Sequence, residues 1–439
     1  MSNDTEAEET LSPIDAPTIP APPPPTRTER LRVLLTILPL VASTTLKHLT
    51  VGPPYPSWPL KLHLIQQLVR NATEISMKKA AKGHDAQSPL SKETLIRRAV
   101  ASRTRGETLL TQMKLDPKRV DIRPWSLDRA VMDRSVWTTR TELDECLSWE
   151  GVLEGEWVQW VGSGAKDSGG VVLYLHGGAY YMLSPRTHRM TTSRISRETG
   201  CRVLAIDYRL APEHAYPAAL HDAVMAYHHL THDLRIPPTK ILVMGDSAGG
   251  GLTMSLLVWL KQFGGNGDQS LPGGAAMFSP WLDLSNTSGP SWTDAKFDYL
   301  PPQTTVPPTD PYNPAIMYAG GRDLKDPIMS PLWADPEILR GLPPILIQSG
   351  SIECLASDSI ALSRILPPPN ATIQLYTGMP HVFVAFPFLN ETRAAYSELE
   401  RFVADILSGR FVGRGLVWVG RKGPWEETIE QSSSIKAKL

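Results

Sequence analysis

Beyond Gly170 the chain repeats one pattern: a short unbroken apolar run, a glycine- or proline-rich turn, then a stretch with helical spacing. The runs are VVLYL (171–175), CRVLAI (201–206), KILVM (240–244), GAAMF (274–278) and PPILIQ (343–348), with helical stretches near 184–199, 216–233 and 250–262 between the first four. A strand buried on both faces has no polar side to display. Continuous apolar runs alternating with helices therefore predict an α/β fold whose mostly parallel sheet is covered on both faces. Upstream, EWVQWV (156–161) alternates residue by residue and predicts a half-exposed strand. From about residue 57 to 105 the period is helical, with Leu60, Leu64 and Leu68 recurring every four residues. The proline-dense stretch 285–325 breaks the cycle and is expected to be an excursion, and ETRAAYSELERFVADILSGR (391–410) to be a closing helix.

The ends differ in character. Residues 1–28 are acidic and then proline-rich, too poor in apolar groups to offset chain entropy, and are expected to form a disordered tail. The apolar segment that follows runs from Val33 to Leu46 and contains Pro39, short of the about 20 residues a membrane span needs. It is expected to be a buried or lid helix. A membrane anchor or interfacial helix, preceded by Arg27, Arg30 and Arg32, stands as the alternative. The resulting division is a tail (1–28), a helical cap region (29–118), an α/β domain (119–410) and a C-terminal extension (411–439) carrying Trp418 and Trp425.

Composition narrows the classes of function. With 44 Lys and Arg against 45 Asp and Glu, scattered rather than clustered, the chain has no electrostatic footprint for nucleic acid. Cys146, Cys201 and Cys354 are too few and too far apart for a disulfide framework, which fits a reducing, cytoplasmic setting. Five N-x-S/T triplets, at Asn3, Asn71, Asn286, Asn370 and Asn390, point instead to the secretory pathway or the endoplasmic reticulum membrane, and both settings stay open. Neither H-E-x-x-H, nor a Cys/His cluster, nor a phosphate-binding glycine loop is present, so no metal or organic cofactor is expected. The histidines of YHHLTHDL (227–234) are expected to face solvent on a helix flank.

Against this background one motif carries chemistry. Gly245-Asp246-Ser247-Ala248-Gly249 fits G-x-S-x-G, follows an apolar strand and opens an apolar helix, the two flanks that a nucleophilic serine turn requires. A hydroxyl is a weak nucleophile at neutral pH and needs a base, itself oriented by an acid. In such sheets the three arrive in the order serine, acid, histidine. His381 is the only histidine after His232. Glu353 and Asp358 both follow the strand ending at Gln348; Glu353 lies in the loop, and Asp358 about a turn into the next helix. Donors for the oxyanion are expected from YLHGGAYY: the amides of Gly177 and Gly178, joined by that of Ala248. His176 is expected to fix that loop. Tyr180, Tyr181, Trp281, Val382 and Phe383 flank the motif residues and are expected to line an apolar substrate site.

HGGAY (176–180), DYRLAPEHAYPAAL (207–220), GDSAGG (245–250), SPWLDLS (279–285) and GMPHVF (378–383) together resemble the hormone-sensitive-lipase family of α/β-hydrolases. The resemblance implies a serine carboxylic-ester hydrolase with nucleophile Ser247, base His381 and acid Glu353. It also implies a lid built from N-terminal helices plus the excursion after Trp281. Asp207, Arg209 and Glu213 look structural in this family. Two features depart from its pattern: Glu353-Cys354-Leu355 stands where Asp-Pro-Leu is more usual, and Ala179 replaces a common third glycine. The partner so implied is a small apolar ester of short to medium acyl chain. A ligand-binding receptor on the same fold, or an amide or thioester hydrolase or dehydratase, are the competing readings.

Overall fold

The computed structural model describes residues 27–82, 92–111, 115–131, 150–264, 271–300, 310–366 and 368–420. The tail through residue 26, Asn3, Cys146 and Trp425 lie outside them. Three helices come first: α1 (Arg27–Thr50), α2 (Leu60–Lys82) and α3 (Lys92–Leu110). Strands β1 (Val120–Asp128) and β2 (Val152–Trp160) follow, then β3 (Val171–Leu175), α4 (Arg189–Thr199), β4 (Arg202–Asp207), α5 (Ala218–His228), β5 (Ile241–Asp246), α6 (Ala248–Phe263) and β6 (Gly274–Phe278). An insertion with three short helices, α7 (Ser291–Asp294), α8 (Pro314–Ala319) and α9 (Pro336–Arg340), leads to β7 (Ile345–Gly350), α10 (Ala356–Ile365), β8 (Ala371–Tyr376), α11 (Asn390–Leu407) and β9 (Gly415–Val419).

All nine strands form one sheet, ordered β1-β2-β4-β3-β5-β6-β7-β8-β9. β1 and β2 run antiparallel to their neighbours and the rest are parallel. Each predicted run became a strand because both of its faces are covered. Val171, Leu173 and Leu175 pack into the core on one side with Val243 and α6. Val172 and Tyr174 pack into the other with Leu242, Met244 and α11 residues such as Tyr396 and Phe402. The predicted excursion is the insertion between β6 and β7, which carries no strand among its described residues. The C-terminal extension holds more than expected: residues 415–419 pair with β8 as the edge strand.

The N-terminal region differs from its sequence reading in two ways. α2 buries Leu62, His63 and Gln66, a face adjacent to the Leu60, Leu64, Leu68 stripe. α1 is neither buried nor inward-facing by its leucines: Leu35, Leu38, Leu46 and Leu49 are 61%, 52%, 63% and 73% exposed. Thr44 is buried instead, and the His48 ring contacts His63 of α2. No helix among the described residues is long and apolar enough to cross a membrane.

Candidate active site

The parallel register sets the C-terminal ends of β3, β5, β6, β7 and β8 side by side, with Leu175 beside Gly245 and Phe278 beside Gln348. Loops leaving those ends converge. β5 ends at Asp246 and α6 begins at Ala248, so Ser247 alone makes the turn, at φ 53° and ψ −122°. A non-glycine residue in such a region costs of order 1–3 kcal/mol and persists only where surroundings impose it. Here Ser247 donates its N–H to the Phe278 carbonyl (2.8 Å), and its own carbonyl accepts from Trp281 and Gly251 (3.0 Å each). The bareness of the motif has the same origin. A Cβ on Gly245 would lie 2.3 Å from the Gly249 carbonyl oxygen, and one on Gly249 would lie 2.0 Å from that of Leu175.

The Ser247 hydroxyl sits 2.9 Å from His381 Nε2. Across the ring, Nδ1 faces Glu353 Oε1 at 3.7 Å, longer than a hydrogen bond, and neither atom has another partner. Glu353 is anchored by its other oxygen, which accepts from the Gly350 N–H (2.8 Å) and the Ser279 hydroxyl (2.7 Å). Ser279 in turn accepts from the Val382 N–H (2.9 Å). One Glu353 oxygen is thus held by the loop while the other faces the imidazole. Burial disfavours the charged ring, but Glu353, then Asp298 and Asp246, outweigh it and raise the His381 pKa above the ordinary histidine value.

Asp358, the other acid in sequence, stands apart. Its Oδ2 accepts from the N–H groups of Leu282 (2.8 Å) and Asp283 (3.1 Å), and its Oδ1 from Ser288 and the Trp292 indole (3.2 Å). Burial pushes it up to about 7 despite these donors. It fastens the insertion to α10.

The oxyanion loop corrects one expectation. The Gly177 N–H donates to Asp246 Oδ1 (3.0 Å), and an N–H carries one proton, so it is not free for a substrate. Asp246 also accepts from the Tyr174 hydroxyl (2.6 Å) and faces His188 Nε2 at 3.4 Å. Burial opposes its charge, but His188 and these donors hold it at about 2. Gly177 is therefore an anchor, and the chain turns outward after it, at Gly178 (φ 119°) and Ala179 (φ 51°). His176 fixes this loop as expected: its Nδ1–H donates to the Gly177 carbonyl (2.7 Å), its ring stacks on Tyr208 at 4.3 Å, and burial holds its pKa near 3, so it is neutral.

The side chains expected to line the substrate site are mostly buried. Tyr180 is 1% exposed and stacks on Tyr318 at 3.7 Å. Phe383 is fully buried, Val382 is buried and holds φ 43°, and the buried Trp281 donates its indole N–H to the Asp283 carbonyl and Asn286. Tyr181 is half-buried and offers its carbonyl to Arg103 of α3 (2.7 Å). The aromatic ring found beside His381 is instead Tyr299 of the insertion, edge-on at 5.9 Å. Nothing in local pattern marked Tyr299 or Asp298, because both reach the site from an irregular segment, and Ser279 stood in the SPWLDLS motif with no role assigned to it. Arg209 and Glu213 act structurally: Arg209 and Arg129 grip buried Asp222, and Glu213 takes both ends of the Arg103 guanidinium (2.8 Å each). Among the described residues no group of His, Cys, Asp or Glu is arranged to hold a metal ion.

The chain is similar in sequence and fold to known proteins. A family profile described as the alpha/beta hydrolase fold matches residues 172–385. An acetyl-hydrolase of Streptomyces hygroscopicus is 38% identical over 237 residues, covering 54% of this chain and 71% of that protein. An esterase of Acinetobacter venetianus is 32% identical over 241 residues, covering 54% and 75%. Among solved structures, an esterase from the bacterial hormone-sensitive lipase family superposes with a TM-score of 0.56 at 32% identity, covering 77% of this chain and 98% of that one. On fold, motifs and relatives together, the chain belongs to the α/β-hydrolase family in its hormone-sensitive-lipase-like branch and is a carboxylic ester hydrolase.

Proposed function

We propose that Ser247, His381 and Glu353 serve as nucleophile, general base and orienting acid in hydrolysis of apolar esters with short to medium acyl chains. The observation that carries this reading is the 2.9 Å approach of the Ser247 hydroxyl to His381 Nε2, with buried Glu353 behind the ring. Ser247 Oγ bonds to the acyl carbon as its proton passes to His381 Nε2. The imidazolium so formed is favoured by the Glu353 carboxylate. The tetrahedral oxyanion rests on the amides of Gly178, Ala179 and Ala248; Ala179 takes the place first expected of Gly177. Collapse breaks the bond to the alcohol, which leaves with the proton from His381. Water, deprotonated by His381, then attacks the acyl-serine, and the carboxylic acid departs as Ser247 recovers its proton. That the Streptomyces relative is named an acetyl-hydrolase supports the short end of the acyl range.

Rates on p-nitrophenyl acetate, butyrate and octanoate, with S247A as control, test the reading. The expected result is turnover highest on the shorter esters and covalent labelling of Ser247 by a fluorophosphonate. Absence of labelling, or an S247A variant as active as wild type, would refute the triad.

The outward stripe of α1 supports a second element of the reading: this helix lies on a lipid surface. Leu35, Leu38, Ala42, Leu46 and Leu49 share one face, extending about 21 Å at 1.5 Å per residue, while Thr44 and His48 point into the protein. A helix that turns its polar side inward and its leucines outward is suited to sit in the plane of a bilayer rather than to cross it. Flotation with phosphatidylcholine vesicles containing phosphatidylserine tests this: wild type is expected to float with them, and L38S/L46S to remain in the dense fraction.

A further inference from the structure

We infer that Asp298, carried by the cap insertion, is a positioning residue for the triad: its carboxylate ties the loop bearing the base to the loop bearing the acid. Asp298 is fully buried. Its Oδ1 accepts from the N–H of His381 itself (3.0 Å) and of Tyr299 (2.9 Å), and its Oδ2 accepts from the N–H of Cys354, the residue after Glu353 (3.0 Å). Ser279 makes the parallel tie one residue along, from the Val382 N–H to the Glu353 carboxylate. The two loops are thus bridged twice, once from the end of β6 in the sheet and once from the cap.

The cap end of this bridge is itself held by α2. The Asp298 carbonyl accepts from Gln66 Nε2 (3.3 Å) and Arg70 Nη1 (3.1 Å), and Arg70 reaches the Ala295 and Lys296 carbonyls as well. The Trp58 indole, just before α2, donates to the Gly378 carbonyl (2.6 Å) in the histidine loop. The N-terminal region therefore braces the base, beyond covering it. The brace matters because the His381–Glu353 leg stands at 3.7 Å, so small relative movement of the two loops decides whether it becomes a hydrogen bond. Asp298 also adds negative charge beside an imidazole already faced by Glu353, the Tyr299 ring and, at longer range, Asp246.

Asn at 298 has one accepting oxygen where three N–H groups converge, and its NH2 would meet one of them donor to donor. This inference rests on the triad proposed above, so wild type, S247A and D298N are compared as full-length proteins on p-nitrophenyl acetate, with wild-type and D298N rates divided by fluorophosphonate-titrated active sites and the S247A rate by folded protein concentration. The expected result is an inactive S247A and a D298N with kcat lowered about 20-fold and KM within about twofold. The acid limb of the kcat/KM profile should move to lower pH by at least about half a unit, because the imidazolium has lost a nearby negative charge. A kcat within about twofold of wild type, or an acid limb that does not move, overturns the role of Asp298 while S247A stays inactive. An active S247A overturns the triad instead. If D298N is not recovered folded, D298E decides: charge is kept but geometry is not, so kcat should fall about fivefold with the acid limb in place, and an unchanged kcat overturns the inference.

Discussion

α6 and α1 place their leucines in opposite directions, and the contrast separates the two parts of this enzyme. α6 is buried from Ala248 to Leu260, with Leu252, Leu256 and Leu257 in the core and its first residues forming the turn after Ser247. α1 exposes Leu35, Leu38, Leu46 and Leu49 and buries Thr44. In the α/β body, burial on both faces of the sheet dictates which residues stand where, so composition and position agree. In the cap, helices are held by polar clamps to loops, as Arg103 holds Glu213, Tyr181 and Ala211, and Arg70 holds the insertion. The cap can therefore leave apolar surface facing outward.

The comparison breaks first at the body. S247A should lower kcat by about 10⁴-fold or more while the denaturation midpoint stays near wild type, measured by ester turnover and urea unfolding. E353Q should follow at about 10³–10⁴-fold, because a neutral amide no longer favours the imidazolium, whereas D358N should spare kcat per folded molecule and lose stability through the insertion. A D358N defect in kcat equal to that of E353Q would reverse the assignment. The pH profile follows from the raised His381 pKa. The base works only when neutral, so kcat/KM should fall as pH drops through a midpoint above the ordinary histidine value of about 6.5, and a midpoint below that value would contradict the site geometry.

The cap should respond more gently. R103A removes a bidentate partner of Glu213 and two carbonyl contacts; the expected cost is about 2–3 kcal/mol in unfolding free energy, with KM rising as the oxyanion loop loosens. Smallest of all, L38S/L46S should change stability by under about 0.5 kcal/mol, since both side chains are exposed in the folded protein, and should be visible chiefly in vesicle binding.

Much of the body was legible from pattern. The five apolar runs, the serine turn and the order serine, acid, histidine each follow from local constraints: period, glycine at close backbone approach, and loops leaving strand ends. The partner of the Gly177 amide was not legible. Nothing local reveals that Asp246 reaches back to the Gly177 amide, so the outward turn falls one residue later. The burial of the aromatic flank was not legible because Tyr180, Trp281 and Phe383 share the composition of a pocket and of a core.

By itself, then, the sequence determined the α/β architecture, the strained turn at Ser247 and the identity of the only downstream histidine. These are matters of periodicity and of steric room, and both act over a few residues. The tertiary structure set Glu353 rather than Asp358 behind the His381 ring, brought Tyr299 and Asp298 to that histidine from the cap, and turned the leucines of α1 outward. Those outcomes depend on which distant segments share a hydrogen-bonding partner or a packed face, and proximity of that kind is created only when the chain has folded.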